Sequence, residues 1–326
     1  MKIRLLNASV VRELLPMEQC ISLMRDAMTL VARGGAIQPI RQAVRTPDSR
    51  GLLGMMPGYT ASPNWLGIKV VSVFEGNSGT ALGVHQGMML LFDPQDGTPK
   101  AIVDGREITA IRTAAASAAA TDALARANAA SLAIFGCGEQ ARRHLEALPC
   151  VRPFERILVC GRDKAKTRRF AADQSATLCR SIQPVDQPEH ATDADVICTT
   201  TTSAEPFLRA AWLRPGQHIN LVGSSVPTTS EVEPEVVRRS RYFADYKESA
   251  LALAGEFRRA RESGLVDDDH ILGSIGEVLI GRVPGRISAA DITVFKSLGM
   301  IAQDMLAADY VLAQAERHDA GLSLEW

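Results

Sequence analysis

Neither sign of charge dominates this 326-residue chain: 36 Lys and Arg stand against 37 Asp and Glu, a formal net charge of −1. That balance argues against a nucleic-acid partner or an anionic membrane surface, so any anion must be gripped locally. No run approaches the roughly 18 apolar residues that a membrane helix needs. The N-terminal "MKIRLLNASVVREL" lacks a signal peptide's long apolar stretch. Cys20, Cys137, Cys150, Cys160, Cys179 and Cys198 form no CxxC pair, and the six histidines show no HxxxH-type spacing, so no metal is expected. Scattered thiols suit a reducing cytoplasm better than a disulfide framework, and a cytoplasmic protein is expected. Internal repeats and low-complexity tails are lacking too.

The length predicts two domains, each able to bury its own core. In "LPMEQCISLMRDAMTLVARGG", Met17, Ile21, Met24, Met28 and Val31 fall on one helical face, which Gly34-Gly35 ends. "LGIKVVSVFEG" and "GMMLLFDPQDGTPKAIVDG" read as strands of a meandering sheet, with a hairpin loop from Asp93-Pro94 to Gly97. "ITAIRTAAASAAATDALARANAA" predicts a smooth, closely packed helix, because Ala is small and favours helix. From about residue 129 the chain alternates strand, turn and helix, the pattern of a parallel sheet with crossover helices. The last segment, "ISAADITVFKSLGMIAQDMLAADYVLAQAERHDAG", is expected to form an apolar-periodic helix capped at Ser288 or Asp291. The fold class is therefore α/β: an α+β domain over 1–128 with 290–326, and a Rossmann domain over 129–289.

Within the second domain, Gly136-x-Gly138-x-x-Ala141 follows the apolar strand Leu132 to Phe135 and leads into a helix near Gln140. Gly136 allows the tight turn, Gly138 lets backbone amides approach a pyrophosphate, and Ala141 permits close packing of strand and helix. The helix N-terminus, with Glu139 and Gln140, supplies positive potential to the dinucleotide. The next strand, "RILVCGRDKAKTRRF", ends in Gly161 and Arg162 where an NAD enzyme usually carries an acid. Arg162 and Lys164 would attract a 2′-phosphate, so NADPH is expected over NADH. The alternative makes both of them ordinary surface charges and gives the ribose to Asp163.

Four stretches carry a family resemblance: "GMMPGYT" (54–60), "GTPKAIVDGREITAIRTAAASAAAT" (97–121), "GCGEQARRHLEAL" (136–148) and "DITVFKSLGMIAQD" (291–304). Along nearly its whole length the chain resembles the ornithine cyclodeaminase and mu-crystallin family. The resemblance implies a first domain for substrate binding and dimerisation, a central Rossmann domain, and a homodimer. By position, Arg45, Lys69 and Arg112 match the family's cations that hold the substrate's α-carboxylate. Physical chemistry supports the transfer: two guanidiniums and an ammonium can replace a carboxylate's hydration with directed donors. Lys69 and Arg112 also interrupt apolar runs, where charges seldom sit without partners, whereas Arg45 alone reads as a solvated loop charge.

"NLVGSSVPTTSEV" discriminates among reactions. The family's cyclodeaminases and its alanine dehydrogenase carry an Asp where this chain has Ser225, and ornithine cyclodeaminase has a carboxylate where this chain has Met56. Without those acids the pocket suits a substrate with two ammonium groups poorly, while "GMMPGYT", His85-Gln86 and Ser225 resemble the ketimine-reducing branch. The expected reaction is hydride transfer from NADPH to a cyclic 2-carboxy imine, Δ1-pyrroline-2-carboxylate or Δ1-piperideine-2-carboxylate, giving L-proline or L-pipecolate. Lys69 would maintain the imine proton, assisted by Ser225 or His85, with Met56 lining the substrate; a structural role for His85 stays open. Val222 and Gly223 are expected at the cofactor, as is Thr113 unless it only caps its helix. Thr199, Thr200 and Thr201 should line the nicotinamide by analogy, although β-branched residues at a strand end need no functional reason. Asp291 and Lys296 belong to the last motif without a catalytic assignment. The competing readings are a cyclodeaminase, an acyclic amino-acid or opine-type dehydrogenase, and a non-catalytic NADPH-binding protein.

Overall fold

A computed structural model describes residues 2–77, 79–80 and 82–325. The chain divides into two compact units, Met1–Arg112 with Met300–Trp326, and Thr113–Gly299. These boundaries differ from the expected 128/129 and 289/290, because the first division falls inside one continuous helix and the second after a strand that the sequence reading took for helix.

The first unit opens with β1 (Lys2–Leu6), α1 (Ala8–Leu14) and α2 (Met17–Ala32). The α2 face predicted from spacing is the buried one, through Cys20, Ile21, Met24, Ala27 and Met28. Then come β2 (Ala36–Ile37), β3 (Gln42–Arg45), β4 (Leu52–Ala61), β5 (Asn64–Val73), β6 (His85–Phe92) and β7 (Pro99–Asp104). Strands β4 to β7 pair antiparallel in sequence, the meander that was expected. Its last turn closes at Gly97, whose φ of +75° suits glycine and whose amide donates to the Asp93 carbonyl. Helix α3 (Gly105–Leu124) carries the chain into the second unit, and six of its alanines, Ala114, Ala115, Ala116, Ala118, Ala119 and Ala120, are wholly buried.

The second unit runs β8 (Ser131–Phe135), α4 (Glu139–Ala147), β9 (Arg156–Cys160), α5 (Lys164–Leu178), β10 (Ile182–Val185), α6 (Pro188–Ala191), β11 (Val196–Thr199) and β12 (His218–Leu221). It continues through α7 (Pro234–Arg238), β13 (Ser240–Ala244), α8 (Lys247–Leu253), α9 (Gly255–Glu262), β14 (Ile271–Ser274), α10 (Ile275–Leu279) and β15 (Ile292–Lys296). The strand order is β10-β9-β8-β11-β12-β15-β13-β14, every pair parallel. Order reverses at β8 and β11, and in such sheets ligands bind outside the carboxyl ends of the strands near that point.

The last segment differs from its reading. "ITVFK" is a fully buried strand inserted between β12 and β13, and the helix begins only at α11 (Ile301–His318). Asp291 caps no helix; its carboxylate accepts from the amides of Ile287 and Ser288. A short apolar run with β-branched residues is buried equally well by either element, and here the vacancy in the sheet decides. After α11, β16 (Leu322–Glu325) pairs with β1 at the edge of the first sheet, whose order is β16-β1-β7-β6-β5-β4-β2, with β3 on β4. Among the described residues, no helix is long and apolar enough to cross a membrane.

Candidate active site

The glycine turn has the geometry of a phosphate cradle. Gly136 holds φ +124°, and a Cβ there would lie 2.7 Å from the Thr200 hydroxyl and 2.9 Å from its carbonyl oxygen. Gly138 is the N-cap of α4 with no side-chain cap, and a Cβ on it would meet nothing within 4 Å. No side chain caps the first turn of α4, and the space beside Gly138 is open, as the approach of a pyrophosphate requires. Ala141 is fully buried, Glu139 is engaged by Arg142 and Arg143, and Gln140 turns a buried Oε1 that has no protein partner.

At the end of β9, Gly161 carries no side chain, and a Cβ there would come within 2.6 Å of Thr167 Oγ1 and 2.9 Å of Cys137 Sγ, so a carboxylate at this position would require those side chains to shift. Arg162 and Lys164 are exposed. Asp163 caps α5, accepting from the Lys166 amide at 3.0 Å, and that bond holds its carboxyl below the usual range.

The rim formed by the ends of β11 and β12 is organised by a residue that the sequence reading missed. Buried Glu231 accepts from Thr199 Oγ1 (2.7 Å), Thr201 N and Oγ1 (both 2.7 Å), Gly223 N (2.9 Å) and Ser224 N (3.3 Å). Burial raises its carboxyl, against the pull of those bonds and of Lys296. Thr200 donates to the Phe135 carbonyl at 2.9 Å. All three threonine hydroxyls are thus committed to protein partners and shape the rim. A Cβ on Gly223 would lie 2.0 Å from the Thr201 carbonyl oxygen, so only glycine fits. Val222 and Thr113 are buried, and Ser225 is exposed. Nothing in "PTTSEV" marks Glu231 in advance, since its five donors come from two stretches of chain, 199–201 and 223–224.

In the first unit, the pleat of β5 turns Lys69 to the sheet face covered by α11, where Asp304 waits. Lys69 Nζ meets Asp304 Oδ2 at 2.6 Å, and Arg112 Nε meets Asp304 Oδ1 at 2.9 Å. Arg112 also donates to Gln303 Oε1 at 3.1 Å, and Lys69 lies 3.5 Å from Thr109 Oγ1. Lys69, Arg112 and Asp304 are 3%, 4% and 0% exposed, and two cations against one carboxylate leave a single net positive charge. Burial lowers Lys69 to about 8, with Asp304 opposing and Arg112 and Arg41 assisting. Asp304 is pushed up by burial but held below its usual range overall by Arg112 and Lys69. The Cys20 thiol beside them is pushed to about 12 by burial and stays neutral.

Asp304 is the second residue missed; its one sequence signal is an acid in the first turn of an otherwise apolar face. Met56 pairs with Lys69 in register, so both side chains lie on the same face of the sheet. Arg45 and His85 are not brought to Lys69. They share the row Arg45-Leu52-Val73-His85, on the same face but four residues along the strand, about 13 Å away, and both are exposed. Besides Arg112, the cation whose field reaches Lys69 is Arg41, which one more step of the β3–β4 register places opposite Met56. No group of three metal-ligating side chains occurs among the described residues.

Comparisons with known proteins show what the whole chain is similar to. The chain is 39% identical over 280 residues to ketimine reductase mu-crystallin of Mus musculus, covering 85% of each protein. It superimposes with a TM-score of 0.95 and 33% identity on Delta(1)-pyrroline-2-carboxylate reductase of Thermococcus litoralis in complex with NADH and L-proline, covering 98% of this chain and 99% of that one. An archaeal alanine dehydrogenase dimer with bound NAD matches over the full length of both chains, with a TM-score of 0.94 and 29% identity. The model of the ornithine cyclodeaminase/mu-crystallin family matches residues 1–319, and the chain belongs to that family.

Proposed function

We propose that this protein is an NAD(P)H-dependent reductase of cyclic 2-carboxy imines, converting Δ1-pyrroline-2-carboxylate or Δ1-piperideine-2-carboxylate to L-proline or L-pipecolate. The observation that carries the reading is the buried Lys69–Asp304–Arg112 set: its single net positive charge matches one carboxylate, and Arg41 reinforces it. The similarity to a pyrroline-2-carboxylate reductase and to a ketimine reductase supports it. A nicotinamide cofactor held at the Gly136–Gly138 turn would supply the hydride for reduction of the C=N bond. Lys69 and Arg112 hold the carboxylate and so orient the α-carbon. Lys69, at about 8, holds its proton at neutral pH and keeps the imine nitrogen protonated. Ser225 offers a hydroxyl for proton relay but no negative charge, and with Met56 in place of an acid the site disfavours diamines.

NADPH is the proposed cofactor, supported by the side-chain-free Gly161 and exposed Arg162 and Lys164. The test follows absorbance of reduced nicotinamide with each imine and each cofactor. We expect NADPH-selective oxidation, and an Arg162→Ala variant whose NADPH-over-NADH preference falls about 10- to 100-fold, the worth of one charge-assisted contact. Ammonia release from L-ornithine, or bound NADPH that no imine oxidises, would overturn the reading.

We also propose a homodimer. The sheet face opposite Lys69 leaves Val44 (61% exposed), Leu53, Leu66 and Met88 (48%) uncovered, a contiguous apolar surface of the kind that marks an interface. Sedimentation should give about twice the chain mass of 35.1 kDa, and a Leu53→Glu/Met88→Glu variant should run as a monomer. A wild-type monomer refutes the assignment.

A further inference from the structure

Among the buried charges that the mechanism does not use is Lys296. Lys296, at the carboxyl end of β15, is 0% exposed, and its Nζ lies 2.9 Å from Glu256 Oε1. Glu256, itself 1% exposed, also accepts from the Tyr242 hydroxyl at 3.1 Å. A buried ion pair is a poor source of stability compared with apolar packing, so its placement calls for another reason. Lys296 Nζ also donates to the carbonyl oxygen of Ser224.

That contact completes a set. Ser224 gives its amide to Glu231 at 3.3 Å and its hydroxyl to the Thr229 carbonyl at 2.6 Å, and it receives Lys296 on its own carbonyl. Every polar group of Ser224 is tied, and Ser225 follows it, exposed, with a hydroxyl that makes no hydrogen bond among the described residues. We infer that Lys296, seated by Glu256, is a positioning residue that fixes the Ser224–Ser225 peptide and so aims the Ser225 hydroxyl for the reaction. The inference rests on the reading of Ser225 as a participant in imine reduction. Lys296 acts through a carbonyl oxygen and touches no reacting atom.

Removing Lys296 alone would strand Glu256, so the variant of choice is Lys296→Met/Glu256→Gln, which removes both charges at nearly constant volume. Hydrogen exchange of the 222–231 segment should quicken at least about tenfold in this variant, with NADPH affinity and thermal midpoint close to wild type. Its kcat should fall by about the same factor as that of Ser225→Ala, about 10² for a lost proton relay, with KM little changed. The triple variant with Ser225→Ala should be no slower than Ser225→Ala, because both changes remove one function. Unchanged exchange overturns the clamp, and rate losses that multiply overturn its action through Ser225. A Ser225→Ala enzyme as fast as wild type instead overturns the reading of Ser225, whatever the exchange shows.

Discussion

Replacing Lys69 by methionine is expected to lower kcat/KM for the cyclic imine about 10³-fold while leaving NADPH binding intact. Methionine fills nearly the same buried volume, and Asp304 keeps its bond to Arg112, so the fold survives. What disappears is the net positive charge of the set. A substrate carboxylate loses a charge-assisted bond worth about 1.5–3 kcal/mol, and the imine nitrogen loses its proton source, worth about a further 10². Initial rates with a parallel fluorescence titration of NADPH separate the two; a loss below tenfold would show that Lys69 serves only to neutralise Asp304. The pH profile gives an independent sign. Burial sets Lys69 at about 8, so wild-type kcat/KM should be maintained below that pH and fall above it as the ammonium loses its proton. Asp304 opposes that lowering. Asp304→Asn should therefore move the alkaline limb to lower pH, and a limb that stays or moves up would remove Lys69 as its origin.

The second large effect is on stability. Glu231→Ala should cost about 3–5 kcal/mol, read as a lower urea midpoint, together with a weaker NADPH affinity. Its carboxylate gathers two hydroxyls and three backbone amides, and each buried donor left without a partner costs about 1–3 kcal/mol before water entering the cavity recovers part of it. Glu231→Gln keeps one oxygen and sets an NH2 against the other donors, so it should fall between wild type and alanine. Equal midpoints for all three proteins would mean that the rim is held by its backbone alone.

Much of this architecture is legible before any coordinates. Local rules suffice for the buried face of α2, the Gly97 turn and the Gly136 cradle, since each depends on residues a few positions apart. Lys69 and Arg112 announce themselves by interrupting apolar runs, where an unpaired charge is too costly. The strand at Ile292–Lys296 is misread because its periodicity is short and its place in the sheet depends on β12 and β13, more than 45 residues earlier.

By itself, then, the sequence determined the buried face of α2, the strand meander, the division into two units, the glycine turn and the presence of buried cations, all consequences of chain neighbours and of the cost of burying charge. Tertiary structure alone decided that Asp304 is shared by Lys69 and Arg112, that Arg41 stands at Lys69 while Arg45 lies four residues along the strand, and that Glu231 and Lys296 grip the loop of Ser224. Those outcomes depend on strand register and on which face a helix covers, where one step of pairing changes the side of the sheet and a few steps move a side chain beyond the reach of its charge.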